Sequence, residues 1–135
     1  MILASDILVD ALRLHPPALA WLRTAPRPLY ISGVTAMEVL AGCSNKSEWR
    51  NTSIFLAPFT LLWLSEAGMR KALNTILPLR LANGIGVYDT LIVATALEHE
   101  LPLTTFNTKH FSHVLDLRIV QPYTRRVAFL AFLYF

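Results

Sequence analysis

The sequence has few of the features that would set it apart from ordinary globular domains. Cys43 is its one cysteine, so no disulfide can form within the chain, which is consistent with a reducing compartment such as the cytoplasm. Only 16% of the residues are charged and 54% are hydrophobic, a balance that disfavours disorder. The longest apolar run, Val127 to Phe135, is shorter than the roughly 20 residues that a membrane-spanning helix needs.

Repeats, low-complexity tracts and linkers are also lacking, and no basic segment precedes an apolar run at the N-terminus, so no secretory signal is visible. A length of 135 residues fits one domain. The net charge of +3 permits a polyanionic partner such as RNA without requiring one. We therefore expect a single cytoplasmic domain that does not enter a membrane.

Segments typical of strands alternate with segments of helical periodicity. The predicted strands are Met1–Ala4, Leu29–Ser32, Thr60–Leu64, Pro102–Thr105 and Arg118–Gln121. The predicted helices are one capped by Ser5 that runs to Leu12, Pro16–Arg23, Thr35–Ala41, Ser47–Phe59, a long helix from Ser65 to Asn83 that Pro78 kinks or splits, Tyr88–Glu100 and Thr108–Phe111. This alternation predicts an α/β fold with a central, mainly parallel sheet flanked by helices on both faces. Functional sites in such folds form beyond the carboxyl ends of the strands.

Glu38 stands out because its helical neighbours Val34, Met37 and Ala41 place it on or beside an apolar stripe. A buried carboxylate without a partner is costly, so Glu38 should meet a cation or a hydrogen-bond donor. A structural ion pair with an arginine would satisfy this requirement, and so would a metal ion.

Further polar side chains fall near other predicted strand ends. Asp89 opens a helix on its apolar face, where it either caps the helix or serves a site. Asp6 follows the first strand, whereas Asp10, one turn later, is expected to be a solvated helix residue. Asn107 follows the strand Pro102–Thr105, where asparagine is common in turns. Clustered carboxylates repel one another unless a cation joins them, and hard oxygen ligands suit Mg²⁺ or Mn²⁺, so the set suggests phosphodiester hydrolysis.

Four local strings resemble segments of the PIN-domain ribonucleases. The string ISGVTAMEVLAG (31–42) resembles the family's strand followed by Ser, Thr and Glu. The string VYDTLIVATALEHELPLTTFNTKHF (87–111) resembles the segment from the family's Asp to its His-Phe. The opening MILASDILVDALR and the final LRIVQPY (117–123) are similar to the family's first strand and helix and to its ending. The likeness covers residues 1–123, which we take as the PIN domain.

The resemblance implies a Mg²⁺- or Mn²⁺-dependent endoribonuclease of the VapC type. Such proteins are the toxins of toxin–antitoxin pairs; they are often homodimers, and a VapB-type antitoxin silences them by entering the active-site groove. By position, Glu38 and Asp89 fall on family carboxylates, and Asn107 falls where many relatives have Asp. The implied catalytic residues are Glu38, Asp89 and Asn107, and the implied metal ligands are Asp6, Glu38 and Asp89.

One position departs from the family. Its opening pattern is Asp, then Thr or Ser, then Asn or Asp, an apolar triplet and often Asp; here these positions hold Ala4, Ser5, Asp6, residues 7–9 and Asp10. Three explanations are open. The first is that an aspartate was deliberately replaced by Ala4 so that a toxic nuclease could be produced in cells. The second is that the nuclease has decayed naturally, and the third is that Asp6 compensates from the next turn. Because the rest of the site is intact, we favour replacement, and we expect this chain to be inactive or impaired.

Two rival functions and one segment stay open. A non-catalytic binding module for RNA or a protein would keep the fold without the chemistry, and a metal-dependent DNA nuclease would use the same carboxylates. Residues 124–135 form a basic and then apolar tail beyond the resemblance. The tail could pack in a groove, join a dimer interface, or be an added or frameshifted end.

Overall fold

The computed structural model describes residues 1–124, in which five short strands form one sheet. Every pair of neighbouring strands is parallel, and the spatial order is β3-β2-β1-β4-β5. The strands are β1 (Ile2–Leu3), β2 (Tyr30–Ser32), β3 (Thr60–Leu62), β4 (Leu103–Thr104) and β5 (Ile119–Val120). The predicted α/β fold with a central parallel sheet is confirmed. The tail from residue 125 onward lies outside the described residues, so the predictions for it stay predictions.

Helices connect the strands and cover the sheet. Within residues 1–124 they are α1 (Ser5–Leu12), α2 (Pro16–Thr24), α3 (Gly33–Ala41), α4 (Lys46–Leu56), α5 (Glu66–Lys71), α6 (Arg80–Asn83), α7 (Val87–Glu98) and α8 (Thr108–Phe111). None of them is long and apolar enough to cross a membrane.

The predicted split at Pro78 occurs, but it takes a particular form. Helix α5 passes into a π-helical turn at Ala72–Ile76 and a 3₁₀ turn at Leu77–Leu79 before α6 begins. Proline cannot donate the hydrogen bond of a continuous helix, so the backbone changes its pitch on both sides of it. Gly84 ends the succession in the left-handed conformation, at φ 77°, which glycine adopts without a steric penalty.

The sheet separates two hydrophobic cores. Ile2 and Leu103 face one core, which contains the apolar side of α7 and the π-helical turn. Leu3 and Ile31 face the other core, which α1, α2, α3 and α4 share. Because successive side chains of a strand point to opposite faces, even the two residues of β1 serve both cores. Helices therefore lie on both faces of the sheet, as predicted.

Two expectations about α1 are wrong. Ser5 does not cap the helix, since Ala4 is already extended (φ −75°, ψ 164°) and occupies the N-cap position without a side-chain hydrogen bond. Asp10 is not a purely solvated residue, because its carboxylate accepts a hydrogen bond of 2.6 Å from the Tyr123 hydroxyl. The segment after β5 brings Tyr123 back over α1, where its ring also packs against Phe106.

Candidate active site

The predicted site residues come from three strand ends on one side of the sheet. Strand β1 leads into α1 with Asp6, β2 leads into α3 with Glu38, and β4 leads towards α8 with Asn107. Asp89 lies in the first turn of α7, which packs against α3. Because all the strands are parallel, their carboxyl ends lie at one edge of the sheet, and the fold brings the four side chains towards it.

Glu38 is half-buried on α3, and its Oε1 atom is fully buried without a hydrogen-bond partner among residues 1–124. Burial raises the pKa of the Glu38 carboxyl, and the nearby Asp89 carboxylate raises it further. The ion pair with an arginine considered above does not occur within the described chain, where the recorded pairs are Arg70 with Glu66 and His99 with Glu98. Glu38 therefore has the unmet need for a cation or donor that its position predicted.

Asp89 is the partner of Glu38 in this arrangement. Its carboxyl is half-buried, and burial raises its pKa, while His110 acts in the opposite direction and Asp6 adds a smaller rise. Gly86 is the N-cap of α7, and no side chain forms a cap hydrogen bond there. Asp89 therefore interacts favourably with the helix dipole but is not the N-cap residue, so capping does not explain its placement.

Asp6 also lies near Asp89, but its oxygens already accept hydrogen bonds. Oδ1 accepts from the Ile7 backbone N–H at 3.0 Å. Oδ2 accepts from the Thr105 hydroxyl at 3.1 Å and from the Phe106 backbone N–H at 2.8 Å. Asp6 thus joins the start of α1 to the turn that follows β4.

That turn carries Asn107 and leads to His110. The Asn107 backbone N–H donates to the Thr105 hydroxyl at 3.1 Å, and its side-chain Nδ2 lies 3.2 Å from His110 Nδ1. Sequence reasoning named Asn107 but missed Thr105, which is 1% exposed and accepts and donates between the two segments. One indication of this role lay in the sequence: Thr105 is a polar residue at the end of a predicted strand, two positions before Asn107.

Ala4 occupies the position at which the family pattern described above has aspartate. It ends the central strand, its N–H donates to the Thr104 carbonyl at 3.0 Å, and it is 4% exposed in the core that contains Ile92 and Val93 of α7. Within residues 1–124, no three His, Cys, Asp or Glu side chains lie together in a way that could hold a metal ion.

The donor chemistry of Glu38 and Asp89 nevertheless fits a divalent cation. Both carboxylates have raised pKa values, and Glu38 has a buried oxygen that lacks a partner in the described chain. A hard cation between them would stabilise their charged forms. The pair could supply two oxygen ligands, whereas the methyl group of Ala4 offers none.

Comparison with known proteins identifies the fold family. A model of the PIN domain matches residues 1–116, which include Ala4, Asp6, Glu38, Asp89 and Asn107. This chain belongs to the PIN domain family. The family likeness found in the sequence strings is thereby confirmed.

Individual relatives agree with this PIN-domain assignment. The chain is 36% identical over 110 residues to "Ribonuclease VapC10" of Mycobacterium tuberculosis, a match that spans 79% of this chain and 82% of that protein. It is 29% identical to a chain of a toxin–antitoxin complex from Klebsiella pneumoniae, with a TM-score of 0.73 over 90% of this chain and 97% of that one. A chain of VapBC2 from Rickettsia felis, solved with promoter DNA, has the same fold at 23% identity and a TM-score of 0.75, over 88% and 96% of the two chains.

Proposed function

We propose that this PIN domain is the toxin of a toxin–antitoxin pair, a Mg²⁺- or Mn²⁺-dependent endoribonuclease whose activity is impaired by Ala4. The observation that carries the proposal is the pair Glu38 and Asp89, two mutually repelling, partly buried carboxylates that form no salt bridge within residues 1–124. The 36% identity to a protein named as a ribonuclease supports RNA as the substrate.

In this proposal Glu38 and Asp89 hold the ion at the carboxyl edge of the sheet. A divalent cation supplies charge stabilisation to a phosphoryl transition state and makes water a better nucleophile. The two carboxylates fix the position of that charge, and their own repulsion is relieved in the process. An aspartate in place of Ala4 would add a third oxygen ligand, so its absence should weaken metal binding.

Asn107 and His110 are the polar side chains that β4 and α8 bring to the site. His110 is close enough to lower the pKa of Asp89, and the amide of Asn107 lies beside its ring. Both side chains are half-exposed and could contact an RNA phosphate or base as hydrogen-bond donors. We assign Asn107 to the catalytic set with Glu38 and Asp89.

The proposed partner is a VapB-type antitoxin. The similar solved structures include a toxin–antitoxin complex from Klebsiella pneumoniae and VapBC2 from Rickettsia felis, which supports a partner of that kind for this chain. We further propose that the protein is a homodimer and that it works in the cytoplasm; the single cysteine is consistent with such a reducing compartment.

A non-catalytic binding module is the second candidate. The observation in its favour is Ala4 itself, together with the absence of a three-ligand metal group from residues 1–124. A protein of this kind would bind RNA or a protein at the same edge of the sheet without cleaving it.

The deciding experiment is a cleavage assay with Mg²⁺ and Mn²⁺ on structured and single-stranded RNA. It compares the chain as it stands with Ala4→Asp and with Ala4→Asp combined with Glu38→Gln, and it includes DNA oligonucleotides of matched sequence. Cleavage of RNA by Ala4→Asp alone would support the nuclease proposal. If no variant cleaves across a broad RNA panel while the chain still binds RNA, the binding module is favoured. Cleavage of DNA in preference to RNA would identify a DNA nuclease.

A further inference from the structure

The carboxylate of Asp6 makes three hydrogen bonds that its predicted use as a metal ligand would not need. Two of them cross the molecule to residues 105 and 106, about a hundred positions away in the chain. The donors are the Thr105 hydroxyl and the Phe106 backbone N–H, both of which converge on Oδ2. The other oxygen, Oδ1, receives the Ile7 N–H. Hydrogen bonds to a charged acceptor are stronger than neutral ones, so this oxygen pair has a defined structural task.

The contacts continue from Asp6 towards the site. The Thr105 hydroxyl, which donates to Asp6, accepts from the Asn107 backbone N–H at 3.1 Å. The Asn107 side chain in turn lies 3.2 Å from the His110 ring. Each step fixes the next, because the Thr105 hydroxyl is buried and can exchange its partners only if the turn opens.

We propose that Asp6 is a positioning residue: it clamps the turn of residues 105–107 to the start of α1 and so sets where Asn107 and His110 stand relative to Glu38 and Asp89. The proposal concerns the site assigned above and rests on that assignment for its functional consequence only. The clamp itself is a property of the fold, and a measurement that needs no catalysis can detect it.

Asparagine is the informative substitution. Its single carbonyl oxygen can take the position of Oδ2 and accept from both Thr105 and Phe106, while the amide loses only the local bond to Ile7. It also removes the negative charge that a metal ligand supplies. A positioning role therefore predicts that Asp6→Asn behaves like the parent and that Asp6→Ala does not. A ligand role predicts that both substitutions weaken metal binding.

The first measurement is hydrogen exchange of the Phe106 amide by NMR on the metal-free, full-length chain. We expect Asp6→Ala to speed exchange at least about tenfold, because a charge-assisted hydrogen bond is lost, and Asp6→Asn to keep most of the protection. Asp116→Asn is the matched control, since it removes an exposed carboxylate outside the clamp. Thr105→Val should act like Asp6→Ala, and Thr105→Ser should restore the parent's exchange rate.

The second measurement is Mn²⁺ binding, followed by its paramagnetic signal in the Ala4→Asp background. We expect Asp6→Asn to stay within about threefold of its parent's dissociation constant, because none of the proposed ligands is changed. If the Ala4→Asp background cleaves RNA, Asp6→Ala should lower kcat more than it raises the KM for RNA, since Asn107 and His110 are displaced.

Two results would overturn the proposal. One is unchanged Phe106 exchange in Asp6→Ala. The other is an equal loss of Mn²⁺ affinity in Asp6→Asn and Asp6→Ala, which would make Asp6 a metal ligand. Failure of Ala4→Asp to cleave any RNA would instead count against the proposed function and would leave the exchange result standing.

Discussion

Replacing Ala4 by aspartate is the most direct way to test the candidate site. Ala4 is the N-cap of α1 and makes no side-chain cap bond, so aspartate can gain a hydrogen bond to the helix that contributes about 1 kcal/mol. In the proposed site the new carboxylate would add to the negative charge of Glu38 and Asp89, and repulsion between like charges would oppose that gain. Without metal, the two effects should largely cancel, and the melting temperature should change by only a few degrees.

Metal should shift the balance strongly in the variant. A ligand present at a hundred times its dissociation constant stabilises the folded state by about 2.7 kcal/mol. In a domain of this size, 1 kcal/mol corresponds to about 3–5 °C in the melting temperature. We therefore expect Mn²⁺ at that concentration to raise the melting temperature of Ala4→Asp by about 8–13 °C. The chain with Ala4, which has two carboxylates in place of three, should respond by less than about 3 °C.

The assay is thermal unfolding followed by circular dichroism, with protein stripped of metal and then titrated with Mn²⁺ or Mg²⁺. Ala4→Asn is the matched control, because asparagine caps a helix about as well as aspartate and is nearly the same size but carries no charge. The reasoning is refuted if the Asp and Asn variants respond to metal alike, or if the Ala4 chain responds as strongly as Ala4→Asp. Equal unfolding of both variants would show that the core around Ala4 has no room for a larger side chain.

Three further predictions concern charge and packing. Glu38→Gln should stabilise the metal-free protein against urea at neutral pH, because burial and Asp89 raise the pKa of Glu38 and make its charge costly. As the pH falls through that raised pKa, Glu38 becomes neutral, so the stability difference between the variant and the parent should vanish. Ser65→Ala should lower the free energy of unfolding by about 1 kcal/mol, because Ser65 caps α5 and hydrogen-bonds Glu98. These hydrogen bonds lower the pKa of Glu98, so the lost stability should shrink as the pH falls through that lowered pKa, and a pH-independent loss would contradict this. Gly33→Ala should cost about 1–3 kcal/mol and alter tryptophan fluorescence, since a Cβ there overlaps the Trp63 ring; unchanged emission would refute the contact.

Much of the fold could be predicted from local patterns. Short apolar segments bounded by proline and glycine marked the strands, and the alternation with helices predicted the parallel sheet. Pro78 predicted the interruption after α5, but not its form, because the choice between a π-helical and a 3₁₀ turn depends on packing of the turn against the core. The cap of α1 was misplaced by one residue, since local sequence does not decide where a two-residue strand ends.

The site was predictable where a residue conflicted with its own surroundings. Glu38 on an apolar stripe showed such a conflict, and the structure leaves its Oε1 without a partner in the described chain. The long-range hydrogen bonds of Asp6 and Asp10 could not be predicted, because their donors lie 99–113 positions away in the chain. The metal-ligand roles of Asp6, Glu38 and Asp89 and the catalytic role of Asn107 stay predictions that the experiments above test.

The place of β1 in the sheet has a consequence for synthesis. This strand lies at the centre, between β2 and β4, but β4 starts about a hundred residues later in the chain. At about 5–20 residues per second, roughly 5–20 s pass on the ribosome before the second neighbour of β1 has been made. During that time one edge of β1 is open to pairing with other chains. The turn with Asn107 does not yet exist either, so the nascent chain would lack part of the proposed site and would be prone to aggregate until its last strands emerge.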